Sequence, residues 1–258
     1  MQSTLQHRVV AISGGNGGIG LAIAQGVALA GGVPVIWGRN EKKTDQAIEW
    51  LRADGAEAYG VPFDQSEQHA ARQALQRTLD LAGHLDSLIA NAGVAGQAKK
   101  VTDVDFDSWV QVIDTNLNGT FRTLQEVSRY LIDRQQGGAL VAVTSVAVQF
   151  GAPREAHYAA AKAAITSLVR SFAVQLGPDR IRVNALAPGW IDTEFIGSGS
   201  AFAGESSHKL KAVTEARTPV GRWGTPADVV PIALYLANPE PHFHTGDVIT
   251  VDGAYSIA

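Results

Sequence analysis

The sequence predicts an α/β fold, a doubly wound parallel sheet of about seven strands with helices on both faces. Short apolar runs alternate with stretches that are apolar at helical spacing along nearly the whole chain, the pattern of strands joined by helical crossovers. The first run opens into a glycine-rich loop followed by a helix-like stretch. Polar motifs then follow the ends of successive runs, where parallel sheets bind their ligands.

Val9 to Ile12 is the first apolar run, and Ser13-Gly14-Gly15-Asn16-Gly17-Gly18-Ile19-Gly20 follows it before a helical stretch from Leu21 to Ala30. Such glycines let backbone approach a pyrophosphate, and the helix behind them offers unpaired N–H groups and its positive dipole end. Gly31-Gly32 breaks that helix, and Val33 to Trp37 reads as the second strand, with Pro34 near its start where a missing donor is tolerable. It ends in Gly38-Arg39-Asn40. An acidic residue here would suit a free ribose hydroxyl, whereas the permanently charged fork of Arg39 suits a 2′-phosphate, so NADP(H) is expected over NAD(H).

Glu41 to Asp54 reads as a helix, Ala56 to Phe63 as the third strand and Ser66 to Ala82 as the next helix. Asp64 either brackets an adenine or serves as a turn residue capping that helix. Leu85 to Ala90 is the fourth strand and runs into Asn91-Ala92-Gly93. From Asp105 to about Arg134 an amphipathic stretch carries Asn116 and Gly119 in its middle, which predicts a kink or a place where the backbone opens to water. Ala139 to Thr144 is the fifth strand, with Ser145 at its end.

Pro153 to Gln175 is alanine-rich, without internal glycine or proline, and predicts a helix. Tyr158 and Lys162, four apart, share one of its faces. A fixed cation beside a phenol favours the phenolate, so Lys162 is expected to pull the Tyr158 pKa down and fit it for proton transfer to or from a substrate oxygen. Arg180 to Ala187 is the sixth strand, followed by Pro188-Gly189-Trp190-Ile191-Asp192-Thr193. The stretch at about 190–219, with Gly197-Ser198-Gly199-Ser200, reads as a lid. Thr225-Pro226 opens a helix to Leu236, and Asp247 to Val251 is the last strand.

At 45% hydrophobic and 18% charged, the chain has apolar material for one sizeable core, and residues 1–258 read as a single domain. A formal charge of −4 argues against nucleic acid as a partner. With no cysteine, disulfides, thiol nucleophiles and cysteine metal sites are excluded. Met1 to Arg8 is polar and no apolar stretch reaches spanning length, so a cytoplasmic protein without membrane contact is expected. Among the histidines, His242 and His244 raise a metal site. Pro241 beside them and the lack of an acidic pair at ligand spacing favour an exposed loop instead, and no metal is expected.

Taken together, these motifs resemble those of the short-chain dehydrogenase/reductase family, over almost the whole chain. Ser13-Gly14, Gly18 and Gly20 match its glycine motif, with serine where threonine is usual; Asn91-Ala92-Gly93 matches the motif after the fourth strand. Asn116, Ser145, Tyr158 and Lys162 match its catalytic residues in order and spacing. Pro188-Gly189 with Ile191 and Thr193 matches the nicotinamide-side loop, and Val251-Asp252-Gly253-Ala254 the closing strand.

The resemblance implies a Rossmann-like fold and hydride transfer between a nicotinamide and the carbonyl or secondary alcohol of a small substrate: a sugar, polyol, cyclic ketone or 3-oxoacyl compound. Tyr158 would be the acid in reduction and the base in oxidation. Lys162 would lower its pKa and bind the nicotinamide ribose, Ser145 would hydrogen-bond the substrate oxygen, and Asn116 would hold a water joining Lys162 to solvent. Asn16, Ile19, Arg39 and Asp64 join the motif residues as cofactor contacts, and Gln149, Arg154, His157, Trp190 and Phe195 as substrate candidates. Members preferring NADP often carry a basic residue where Gly17 stands, which leaves Arg39 alone with the phosphate. An NAD-dependent alcohol dehydrogenase of the same family is the alternative, and a nucleotide sensor without catalysis a further one. The family also implies a homotetramer, or else a dimer, paired through the helices of Asp105 to Arg134 and Pro153 to Gln175.

Overall fold

The computed structural model describes residues 5–97, 99–152, 154–197, 205–240 and 243–258. Seven strands form one sheet: β1 (Val9–Ser13), β2 (Val33–Gly38), β3 (Tyr59–Pro62), β4 (Ser87–Ala90), β5 (Gly138–Val143), β6 (Ile181–Pro188) and β7 (Val248–Val251). Their order is β3-β2-β1-β4-β5-β6-β7 and every pairing is parallel. The order reverses between β1 and β4, so the crevice beyond their carboxyl ends is the place where such a sheet binds ligands.

Helices cover both faces. On one lie α3 (Ala70–Ala82), α5 (Gly119–Arg134) and α6 (Ala156–Leu176); on the other lie α1 (Gly18–Leu29), α2 (Glu41–Ala53) and α9 (Pro226–Ala237). The period of two along a strand divides the core between them: Val9 and Ala11 of β1 join the first layer, Val10 and Ile12 the second. Both faces being covered, β1, β5 and β6 are buried along their whole length, which is why they read as continuous apolar runs. Gly26 sets the spacing on the second face, because a side chain there would overlap Val230 of α9.

The predicted kink is a π-helical turn, Asp114–Asn118, between α4 (Phe106–Ile113) and α5. A turn with one extra residue leaves a carbonyl without its usual partner. The buried Gln65 reaches it: its Nε2 donates to Thr115 O at 2.8 Å and to Ala92 O at 3.1 Å.

Several element boundaries differ from expectation. The helix after β3 begins at Ala70 rather than Ser66, because Ser66 N and Oγ both donate to Asp64 Oδ1, at 3.0 and 2.7 Å, and hold the chain in a turn. The third strand is shorter than Ala56 to Phe63, since it is an edge strand paired only from Tyr59 onward. The Tyr158 helix starts at Ala156; Pro153 lies outside the described residues. The lid stretch contains two helices, α7 (Glu194–Gly197) and α8 (Glu205–Arg217), while residues 198–204 lie outside the described residues. No described helix is long and apolar enough to cross a membrane.

Candidate active site

The glycine loop leaves β1 at Ser13, whose buried hydroxyl accepts from the backbone N–H groups of Asn91 and Ala92, both at 3.0 Å. Asn91 returns the contact, its Nδ2 donating to Ser13 O at 3.1 Å and Gly14 O at 3.3 Å. The two expected cofactor motifs are thus fastened to each other across the switch point. Gly14 has φ +65° and Gly18 φ +50°, and a Cβ on Gly20 would overlap the Gly14 carbonyl, so the loop can close this tightly only with glycine. Gly17 caps α1 with no side-chain hydrogen bond, and no acidic residue occupies the first turn. Donors and dipole there remain available to an anion, and the cradle fits a pyrophosphate.

Asn16 lies in this loop but turns to α2, its Nδ2 donating to Thr44 Oγ1 at 3.0 Å. Ile19 packs partly buried against the core. Arg39, exposed at the end of β2, lies 3.9 Å from Asp64. Burial pushes the Asp64 carboxyl up, but the Ser66 hydrogen bonds and then Arg39 more than offset it and hold it below the usual range. Across the cleft, Pro188 ends β6, and Gly189 approaches Asp252 so closely that its Cβ would lie 2.6 Å from that side chain. Ile191 is buried, and Thr193 touches the glycine loop, its Cγ2 3.4 Å from where a Gly18 Cβ would stand.

The four chemistry-bearing residues converge beyond β4 and β5. Ser145, just past β5, caps a short 3-10 turn through its hydroxyl, which accepts from Ala147 N at 3.1 Å, and it also hydrogen-bonds Tyr158. Lys162 is 3% exposed; its Nζ donates to Val143 O at 2.8 Å and lies 5.7 Å from the centre of the Tyr158 ring. Asn116 is fully buried and pairs with the Val94 backbone in both directions, at 2.8 Å each. Gly93 stands between them: a Cβ there would lie 2.9 Å from Asn116 Oδ1 and 3.6 Å from Lys162 Nζ.

The electrostatics differ from the expectation that Lys162 lowers Tyr158. Burial pushes the phenol well above its ordinary value, the nearby Glu155 carboxylate pushes it further, and the Ser145 hydrogen bond offsets only part. Burial also brings the Lys162 ammonium down to about 8. Both groups are desolvated together, and stripping water from an incipient phenolate outweighs the attraction of a cation that is itself costly to charge.

Of the substrate candidates, Phe195 faces this cluster, its ring 6.2 Å from that of Tyr158. Trp190 stacks on Trp223 at 5.6 Å and meets Tyr255 edge-on at 6.2 Å, within the wall behind the loop. Gln149 is drawn away to Thr250 Oγ1 at 2.9 Å. Arg154 is exposed. His157 is fully buried, its Nδ1 accepting from Tyr158 N and its Nε2 against Gly96, so no open pocket reaches it. His244 is taken up by Tyr235 and Asp247, both at 3.0 Å; His242 lies outside the described residues, and no metal-binding group of side chains occurs among those described.

Sequence reasoning missed Glu155, which immediately precedes the Tyr158 helix, so that its nearness to Tyr158 in sequence was a usable signal. It also missed Gln65 and Lys43, whose partners are distant in sequence.

Residues 14–256 match the protein family described as enoyl-(acyl carrier protein) reductase. The chain is 34% identical to a 3-oxoacyl-(acyl-carrier-protein) reductase of Chlamydia pneumoniae over 98% of both chains. It is 35% identical to a sorbose reductase of Schizosaccharomyces pombe over 98% of this chain and 97% of that one. The structure superposes on a gluconate 5-dehydrogenase of Burkholderia cenocepacia, crystallised with NADP and tartrate, with a TM-score of 0.91 at 31% identity, covering 100% and 98% of the two chains.

Proposed function

We propose, for a chain that belongs to the short-chain dehydrogenase/reductase family and is an oxidoreductase of CH–OH and C=O groups, that it works with NADP(H) on a small neutral ketone or secondary alcohol, through Tyr158, Lys162, Ser145 and Asn116. The observation that carries this reading is the meeting of Ser145, Tyr158 and Lys162 beyond β5, across the switch point from a glycine cradle that suits a pyrophosphate.

The nicotinamide supplies or takes the hydride when bound. The pyrophosphate would be held by the loop from Ser13 to Gly20 and by Thr193, and the adenosine end by Arg39, Asp64 and Asn91-Ala92-Gly93. The nicotinamide end would be held by Lys162 and the turn Pro188-Gly189 with Ile191. In reduction the Tyr158 hydroxyl gives its proton to the carbonyl oxygen, which Ser145 holds in line; in oxidation the phenolate takes the proton from the alcohol. A phenol raised by burial is well protonated at neutral pH, which suits the reductive direction. The side chain of Asn116 is engaged by Val94, so a water relaying protons from Lys162 would sit on its backbone carbonyl, which accepts from Thr120 Oγ1 at 2.6 Å and has a second lone pair.

Glu155 places a carboxylate near the reacting oxygen and so favours ketoses, polyols and cyclic ketones over sugar acids. NADP(H) is supported by Arg39 and by the NADP in the gluconate 5-dehydrogenase structure. NAD(H) is the second reading, favoured by the absence of a basic side chain at Gly17. A sensor without catalysis is disfavoured, since all four reacting groups are present. Residues 1–258 act as one domain, the segment at about 190–219 serving as lid, with its Phe195 turned to Tyr158. A homotetramer is supported by exposed Phe106, Val110, Phe121 and Val174 on α4, α5 and α6, and light scattering giving a monomer would exclude it.

The reading is tested by NADPH consumption with a panel of ketoses, cyclic ketones and 3-oxoacyl thioesters, comparing the wild-type protein with Tyr158→Phe. The variant is expected to lose about 10²- to 10⁴-fold in kcat while binding NADPH as before. Turnover close to wild type in the variant would remove Tyr158 from the mechanism.

A further inference from the structure

Lys43 lies in the first turn of α2, four residues after Arg39, and its ammonium reaches back over the glycine loop. A Cβ on Gly17 would stand 2.9 Å from Lys43 Nζ and 3.1 Å from its Cε. The space beside the loop that a side chain at position 17 would fill is therefore filled by a cation from another element. On its far side Lys43 Nζ meets Glu194 Oε2 at 2.7 Å, which joins α2 to α7 across the cleft, 151 residues apart in sequence. Arg39, the other cation at this edge, has the Asp64 carboxylate 3.9 Å away.

We propose that Lys43 is the second cation for a 2′-phosphate on the adenosine ribose, completing with Arg39 the charge that Gly17 does not supply, and that Glu194 competes with that phosphate for it. The inference rests on the NADP(H) reading. The Lys43–Glu194 pair is exposed, its side chains at 42% and 80%, and Arg39 is exposed in the other, so both pairs are weak and open to exchange. A phosphate monoester carries about −1.5 to −2 charge with three strong acceptor oxygens, and it outbids a single carboxylate for a lysine that remains flexible. A side chain at position 17 would crowd the Lys43 ammonium out of this place. The same geometry also ties cofactor to lid, because a Lys43 committed to phosphate no longer holds Glu194 and the segment that Glu194 begins.

Calorimetric titration of the full chain with adenosine 2′,5′-bisphosphate and with adenosine 5′-phosphate tests this without any turnover. The wild-type protein is expected to prefer the bisphosphate. Lys43→Met should weaken the bisphosphate about tenfold and leave the monophosphate unchanged. Glu194→Gln should tighten the bisphosphate, and that gain should vanish in the double variant with Lys43→Met. Equal weakening of both ligands by Lys43→Met would place Lys43 on the 5′-phosphate side and overturn the proposal, as would no weakening of either. A wild-type protein that does not distinguish the two probes would overturn the NADP(H) reading itself. One whose preference falls with Arg39→Ala but survives Lys43→Met would overturn the Lys43 assignment alone.

Discussion

Replacing Lys162 by methionine is expected to stabilise the protein while abolishing its chemistry. The ammonium is 3% exposed, donates a hydrogen bond to Val143 O, and is brought down by burial from 10.5 to about 8. At 1.36 kcal/mol per pKa unit, keeping this group charged in the fold costs about 3 kcal/mol at neutral pH. Methionine removes that cost and nearly conserves volume, but it leaves the buried Val143 carbonyl without its donor, which returns about 1–2 kcal/mol. The net gain of about 1–2 kcal/mol corresponds to a Tm rise of about 2–8 °C for a chain of this size. The sign with pH follows from the folded pKa being the lower one. The unfolded chain binds more protons between about 8 and 10.5, so the wild type gains stability through that window and the cost is fully present only below it. Calorimetric scans of both proteins at pH 7 and pH 10, without added nucleotide, provide the assay. The variant should lead at pH 7 and lose that lead by pH 10. A variant less stable at pH 7, or a lead that does not change with pH, would refute the idea that Lys162 is a desolvated cation retained for function at the expense of stability.

Two further outcomes follow from the same geometry. Glu155→Gln removes the carboxylate that raises Tyr158, so the pH at which alcohol oxidation switches on should move lower, and the high-pH fall of ketone reduction should move lower with it. An unchanged pH profile would take Glu155 out of the electrostatics of the site. Gly20→Ala forces a methyl into the Gly14 carbonyl and should cost about 1–3 kcal/mol, read as a Tm loss of about 2–12 °C, together with weaker NADPH binding.

The sheet was legible because burial on both faces writes strands as plain apolar runs, and the glycine loop because positive φ at Gly14 and Gly18 admits few other residues. The break at Asn116 and Gly119 could be foreseen from weak helix formers in mid-helix, but its π-helical form depends on Gln65 reaching Thr115 O from 50 residues away. Tyr158 and Lys162 were found by their spacing together with the motifs along the rest of the chain, yet the direction of the Tyr158 shift was not. Spacing reports proximity, and the deciding effect is desolvation, which only the packed structure reveals. His157 and Gln149 were placed near the site by their distance in sequence from Tyr158 and Ser145. One is buried against Gly96 and the other bonded to Thr250, contacts set by elements that local pattern does not identify. The Lys43–Glu194 pair was invisible for the same reason.

The most direct test of the central claim is a titration of the purified protein with NADPH and with NADH, followed by nicotinamide fluorescence. Arg39 at the end of β2 predicts that both bind and that NADPH binds about tenfold or more tightly. NADH binding as tightly as NADPH would contradict the 2′-phosphate reading, and binding of neither would contradict the catalytic one.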